Sequence, residues 1–205
     1  MYKKLPLAVL VTAALLLVAP AIATATGTST PNLPAGVDPA CIIDGDGNCE
    51  EVTAELEGQL VVTAIAGLAI TCNVEESITF HEDGTSQVTA FTATGCTTNP
   101  NACPPDFPAV NLPWGDRLGY DTGSSTYRDY TNTSILVQLT SGCFITGAFP
   151  ANGVLAPTIN ISGGVLTATY DSGSGTVSGP LGSARVHGTL TSTSGIGADT
   201  QLYPY

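Results

Sequence analysis

The stretch CNVEESITFHEDGTSQVTAFTATGC, Cys72 to Cys96, decides the fold class. Asp83-Gly84 at its centre is a hairpin signal, because glycine tolerates the left-handed backbone that tight turns require. A three-residue Asp-Gly-Thr loop sets Glu82 opposite Ser86. That register predicts Phe80 facing Val88, Ile78 facing Ala90, Val74 facing Thr94 and Cys72 facing Cys96, all on one face, since side chains alternate along a strand. His81, Thr79, Ser77, Glu75 and Asn73 take the other face. A two-residue loop puts the cysteines out of step. Facing residues of antiparallel strands lie about 4.5–5.5 Å apart, within disulfide reach, so a Cys72–Cys96 bridge is expected.

The same pattern continues on both sides. Upstream, Val52–Leu56 alternates cleanly, and Leu60–Thr71 is apolar on both faces, which predicts a central strand. Downstream, SILVQLT (Ser134–Thr140), CFITGAF (Cys143–Phe149), GVLTATY (Gly164–Tyr170), GTVSG (Gly175–Gly179) and ARVHGTLTSTS (Ala184–Ser194) are β-branched runs broken by turn residues. Apolar spacing of the helical kind is missing beyond the N-terminus. About nine short strands predict an all-β, antiparallel sandwich or closed barrel with disulfides. Between them, the stretch from Cys96 to Leu118 carries Pro100, Pro104, Pro105, Pro108 and Pro113. Proline cannot donate to a sheet ladder, so a long ordered loop leading to Trp114 is expected.

The N-terminus has the three parts of an export signal. Lys3 and Lys4 precede an apolar run, Leu5–Val18, and two A-x-A sites follow at Ala21–Ala23 and Ala23–Ala25. The run is shorter than the roughly 20 residues a spanning helix needs. A signal peptide over 1–25, a flexible leader over 26–40 and one domain over 41–205 are therefore expected, with an uncleaved anchor as the alternative. The mature chain would be secreted, without a membrane span. It would keep Arg117, Arg128 and Arg185 as its only cations against 17 Asp and Glu. Such an acidic surface excludes nucleic acid and anionic lipid as partners and suits an acidic medium, cation binding or plain solubility.

Six cysteines in an exported chain predict disulfides. With Cys72 and Cys96 joined, Cys41 pairs by default with nearby Cys49, and Cys103 with Cys143. CIIDGDGNCEEVTAE, Cys41–Glu55, also spaces Asp44, Asp46 and Asn48 as the first, third and fifth ligands of a calcium loop, with Glu55 twelfth. The sixth place needs glycine and holds Cys49, so the EF-hand pattern fails. What remains is either a looser calcium site or an acidic turn closed by Cys41–Cys49.

Two near-copies, YDTGSS (Tyr120–Ser125) and YDSGSG (Tyr170–Gly175), match the surroundings of aspartic-protease carboxylates. Asp121 and Asp171 could form a dyad in which two carboxylates share a proton. The flanks argue against it. Asp121 follows no apolar strand, polar STYRDYTN comes after it, and a two-lobed enzyme needs about twice this chain. Asp, Ser and Gly are also what turns select. No catalytic residue is assigned, and the hydrolase stays the alternative.

Trp114, Tyr120 and Tyr127 form an aromatic group in polar surroundings. Either they stack on a sugar as in carbohydrate-binding or adhesion modules, or Trp114 is buried and anchors the proline-rich loop.

The ITC…TGC hairpin, NLPW (Asn111–Trp114), the YRD after it and the closing SGTVSGPLGSARVHGTL resemble uncharacterised secreted β-rich proteins of Gram-positive bacteria. The resemblance implies the compartment and the fold class and brings no activity. The expected function is that of a non-catalytic domain with a binding or structural role at the cell envelope or in the medium. Its partner is an extracellular ligand or envelope component.

Overall fold

The computed structural model describes residues 29–64, 69–99, 105–106, 108–109, 111–139 and 147–205. These residues are all-β and antiparallel. The strands are β1 (Val37–Ile43), β2 (Val52–Ala64), β3 (Ala69–Phe80), β4 (Thr85–Asn99) and β5 (Pro105–Asp106). They continue with β6 (Trp114–Asp121), β7 (Thr126–Leu139), β8 (Gly147–Leu155) and β9 (Thr158–Ser162). The last four are β10 (Val165–Tyr170), β11 (Val177–Gly179), β12 (Gly182–Ser194) and β13 (Gln201–Pro204).

The pairings close a ring. β2 pairs β3, β3 pairs β4, β4 pairs β6, and β6 pairs β7. β8 and β9 both run antiparallel to β7 along one of its edges, with Ala156-Pro157 between them, so together they fill one wall position. β10 and β11 likewise share one edge of β12. β12 then returns to β2, from Ala184 opposite Ala64 to Thr191 opposite Glu57. Counting each broken strand once, the chain walks round the ring in sequence order, up and down. Ring closure of this kind covers sheet edges, and β4 makes its part of it over four pairs, Thr85–Val88 against β6. β5 pairs β7 at Leu139 and Gln138, above the stretch of β7 that β6 covers. The proline-rich segment thus supplies one short strand, β5, and an isolated bridge from Ala109 to Ile135, where an uninterrupted strand was excluded.

β1 lies against β6 and β13 against β1. β1 starts before the boundary drawn at Cys41, and Ala40, Cys41 and Ile42 are all buried. The fold therefore reaches upstream of that boundary, and residues 1–28 lie outside the described residues. Leu60–Thr71, read as one strand, contains a chain reversal instead, because Thr63 pairs with Ala69. Conversely, β2 passes straight through Gly58, where a break was expected.

Gly58 and its diagonal neighbour Gly188 explain why. A side chain on Gly188 would sit 2.2 Å from the Gln59 carbonyl, and one on Gly58 2.2 Å from the Thr189 carbonyl. Glycine lets β2 and β12 bend into each other where the ring turns a corner. Gly188 also has φ +139°, a conformation that L side chains rarely adopt. Gly188→Ala is expected to cost about 2–3 kcal/mol. Urea denaturation checks this, and a loss under about 0.5 kcal/mol would mean the seam is loose.

The Cys72–Cys96 hairpin differs from its expected register at one end and agrees at the other. Phe80 faces Ser86 and Ile78 faces Val88, two residues tighter than the Asp-Gly-Thr loop implied. Register shifts then fall between Ser77 and Ile78 and between Thr71 and Asn73. Each adds one residue to β4, and together they restore the expected register where the cysteines meet. The second shift contains Gly95, at φ +59°, as bulges that need a left-handed residue require. Cys72 and Cys96 are disulfide-bonded, as are Cys41 and Cys49. Cys103 and Cys143 lie outside the described residues.

Candidate functional site

The interior of the ring holds the core, built from Leu56, Leu60, Val74, Ile78, Phe80, Trp114, Leu118, Leu166, Leu190 and their neighbours. Polar side chains interrupt it. Glu76, Asp116 and Asp129 are buried, and Asp116 is fully so. Each stands where strand alternation turns it inward. Glu76 lies between Val74 and Ile78 on β3, and Asp116 between Trp114 and Leu118 on β6; all four flanking residues are buried. Asp129 lies two residues before buried Thr131 on β7.

These carboxyls sense one another. Burial, reinforced by the charge of Asp129, pushes Glu76 up from 4.5 to about 8. Burial likewise raises Asp129 from 3.8 to about 6, against a hydrogen bond of 2.9 Å from the Ser86 hydroxyl. Asp116 is raised well above its ordinary value by burial, then by Asp129 and Glu76. Buried Tyr170 on β10 is raised too, by burial first and then by all three carboxyls. Neither carboxylate oxygen of Asp116 makes a hydrogen bond of normal geometry, although Thr131 and the Val88 backbone lie near enough to offset part of the rise. Among the described residues no Lys, Arg or His forms an ion pair with the three. Arg117 and Arg128 alternate to the other face of β6 and β7, and Arg128 donates to the carbonyls of Ala156 and Gly173.

Next to this cluster is a cavity of about 50 Å³. Its wall is mostly apolar, including Leu60, Val74, Phe91, Trp114 and Val186, while Glu76, Thr131 and Tyr170 bring polar groups to it. The Phe91 and Trp114 rings lie 5.2 Å apart at a 44° tilt. A second cavity of about 60 Å³ shares Val62, Ile135 and Val177 with the first and continues toward Leu139, Phe149 and Leu181. Room of this order accommodates several waters or a small solute. Eight-stranded rings are about wide enough to be filled by side chains or to hold one small ligand.

The residues singled out in the sequence are scattered. Asp121 starts the β6–β7 turn, where its carboxylate accepts the Gly123 amide and the Ser124 amide and hydroxyl. Those bonds, the Ser124 hydroxyl foremost, lower its pKa. Asp171 accepts the Gly173 amide and the Ser174 hydroxyl in the β10–β11 connection. β7 and β9 separate β6 from β10, and the paired registers put the two carboxylates about four residues apart along the strands. That is roughly 15–20 Å at sheet spacings, so they form no dyad. Asp44 spends one carboxylate oxygen on the amides of Asp46 and Asn48, which shapes the Cys41–Cys49 loop as a tight turn. Among the described residues no His, Cys, Asp and Glu converge as a metal-holding group.

The aromatic group divides. Trp114 is buried and lines the interior cavity. Tyr120 and Tyr127 pack on each other at 4.9 Å, half-buried on β6 and β7, and the Tyr127 hydroxyl donates to the Leu202 carbonyl. The interior carboxyls escaped notice, although their signal was present. In the alternation of CNVEESITF, Cys72–Phe80, and of WGDRL, Trp114–Leu118, the acid falls on the same parity as the apolar residues, Val74-x-Glu76-x-Ile78 and Trp114-x-Asp116-x-Leu118. No family model, curated protein or solved structure matches the chain, so what it does must be read from this interior.

Proposed function

We propose that the chain is exported and works outside the cell as a non-catalytic module that binds a small molecule inside its ring. The observation that carries this reading is the cavity beside Trp114, with polar groups from Glu76, Thr131 and Tyr170 on an otherwise apolar wall. A concave apolar site with a few convergent polar groups is the usual form of a small-ligand site. The signal-like N-terminus and the disulfides support the compartment. Among the described residues no helix is long and apolar enough to cross a membrane. The acidic composition, formal net charge −12, suits a protein of the medium or the envelope surface.

Trp114 is the sole tryptophan and lines the cavity, so it reports occupancy directly. Titrating small apolar solutes such as xenon and ethanol should change its emission saturably and raise the melting temperature. Ala93→Leu, which fills the cavity from the β4 wall, should reduce both responses at least tenfold. Solutes that never saturate, or that bind the filled variant equally well, would overturn the reading.

A further inference from the structure

We infer that the occupant of this interior is a small organic cation, an ammonium group on a compact apolar body. The inference rests on the binding role proposed above and names its ligand class. Three carboxyls are buried in the ring, near enough that Asp129 raises both Glu76 and Asp116, and among the described residues no cation answers them. Buried charges are ordinarily paired, and unpaired ones are costly. Glu76 sharpens the point, since it is 7% exposed and lines the cavity, while Asp116, fully buried outside the cavity's lining, has neither oxygen in a hydrogen bond of normal geometry. A group that donates hydrogen bonds and brings positive charge is what such oxygens lack.

The cavity wall selects the rest of the ligand. Glu76 reaches it from the carboxyl cluster, while Trp114 and Phe91 offer aromatic faces. Aromatic faces attract an alkylammonium through the ring quadrupole, most strongly where water is excluded. A bare divalent ion suits the site less well, because it needs several oxygens converging at about 2.0–2.6 Å. No such convergence occurs among the described residues. An anion would meet only repulsion. A cavity of about 50 Å³ limits the body to a few heavy atoms.

Protons compete with such a ligand. Glu76 from β3 and Tyr170 from β10 line the cavity, and Asp116 from β6 and Asp129 from β7, with Ser86 hydrogen-bonded to Asp129, lie near enough for their charge to be felt there. Burial keeps Glu76 protonated to about 8 and Asp129 to about 6, so an ammonium must displace a proton at lower pH. Binding therefore strengthens from pH 5 to pH 8.

Ethylammonium and ethanol have the same carbon skeleton and differ in charge. Their affinities are compared at pH 5 and pH 8 by Trp114 emission and melting temperature, in the wild-type chain, Glu76→Gln and Asp116→Asn. The inference expects the ammonium to bind at least tenfold tighter than the alcohol at pH 8. It expects tenfold weaker ammonium binding at pH 5, a loss of ammonium binding in Glu76→Gln at least tenfold larger than any change in alcohol binding, and a smaller loss in Asp116→Asn, which acts from outside the cavity wall. Equal binding of both probes would overturn the cation while leaving the binding interior standing. No saturable binding of either would overturn both.

Discussion

Glu76→Gln should melt well above the wild-type chain at pH 8.5 and close to it at pH 4.5. The unfolded carboxyl ionises near its ordinary 4.5, whereas the folded one keeps its proton to about 8. Between those values the folded state binds more protons than the unfolded one, so stability falls as pH rises through that window. Below 4.5 the contribution is fully present, and above about 8 it is lost. A displacement of this size corresponds to about 3–5 kcal/mol, on the order of 10 °C for a chain of this length. The amide is neutral at every pH and has nearly the shape of the protonated acid, so the variant escapes the loss. Asp129, raised to about 6, and Asp116 should leave a shallower residual slope in the variant. Calorimetric melts at several pH values give the comparison. A variant whose stability falls with pH as steeply as the wild type would show that Glu76 is solvated.

Trp114→Ala is expected to destabilise the fold by about 3–5 kcal/mol, the range for removing a large buried aromatic. Trp114 is 2% exposed, and its loss also leaves the Phe91 ring without its partner. Trp114→Phe keeps much of the volume and should cost about 1–2 kcal/mol. Urea denaturation followed by circular dichroism measures both without relying on the missing fluorophore. A cost under 1 kcal/mol for the alanine variant would return Trp114 to the surface role that its polar neighbours in the sequence suggested.

Much of the fold could be read from turn chemistry and alternation. Asp83-Gly84 located the hairpin, and the apolar parity of β3 placed Cys72 on the face where Cys96 meets it. The details that escaped are those set by contacts distant in sequence. The two bulges in β4 fall beyond Val88, where its pairing with β6 ends while its pairing with β3 runs on. No local rule places such shifts, apart from Gly95. Gly58 read as punctuation because glycine usually is; only the β12 backbone against it reveals a corner. The Asp171 turn read as a chain reversal, yet β10 and β11 run in the same direction along β12.

The candidate site was legible in a different sense. Glu76, Asp116 and Asp129 were printed at inward positions, but acids are normally read as solvent-facing because few survive burial. An acid that keeps the parity of its apolar neighbours therefore deserves to be taken at its position. By contrast, Asp121 and Asp171 resemble an enzyme motif because catalytic and structural turns use the same short polar residues. Only their positions in the ring separate the two meanings.

The seam between β2 and β12 also bears on how fast the chain reaches this structure. β2 cannot complete its pairing until β12, more than a hundred residues later, has emerged and found it, as Glu57 opposite Thr191 illustrates. Pairings this distant in sequence slow folding, because a long loop must close before its contacts reward it. The β3–β4 hairpin can form early from local contacts, whereas the last join is expected to come late. Substitutions along β2 and β12 should therefore slow folding and speed unfolding in proportions that tell how much of the seam exists at the barrier.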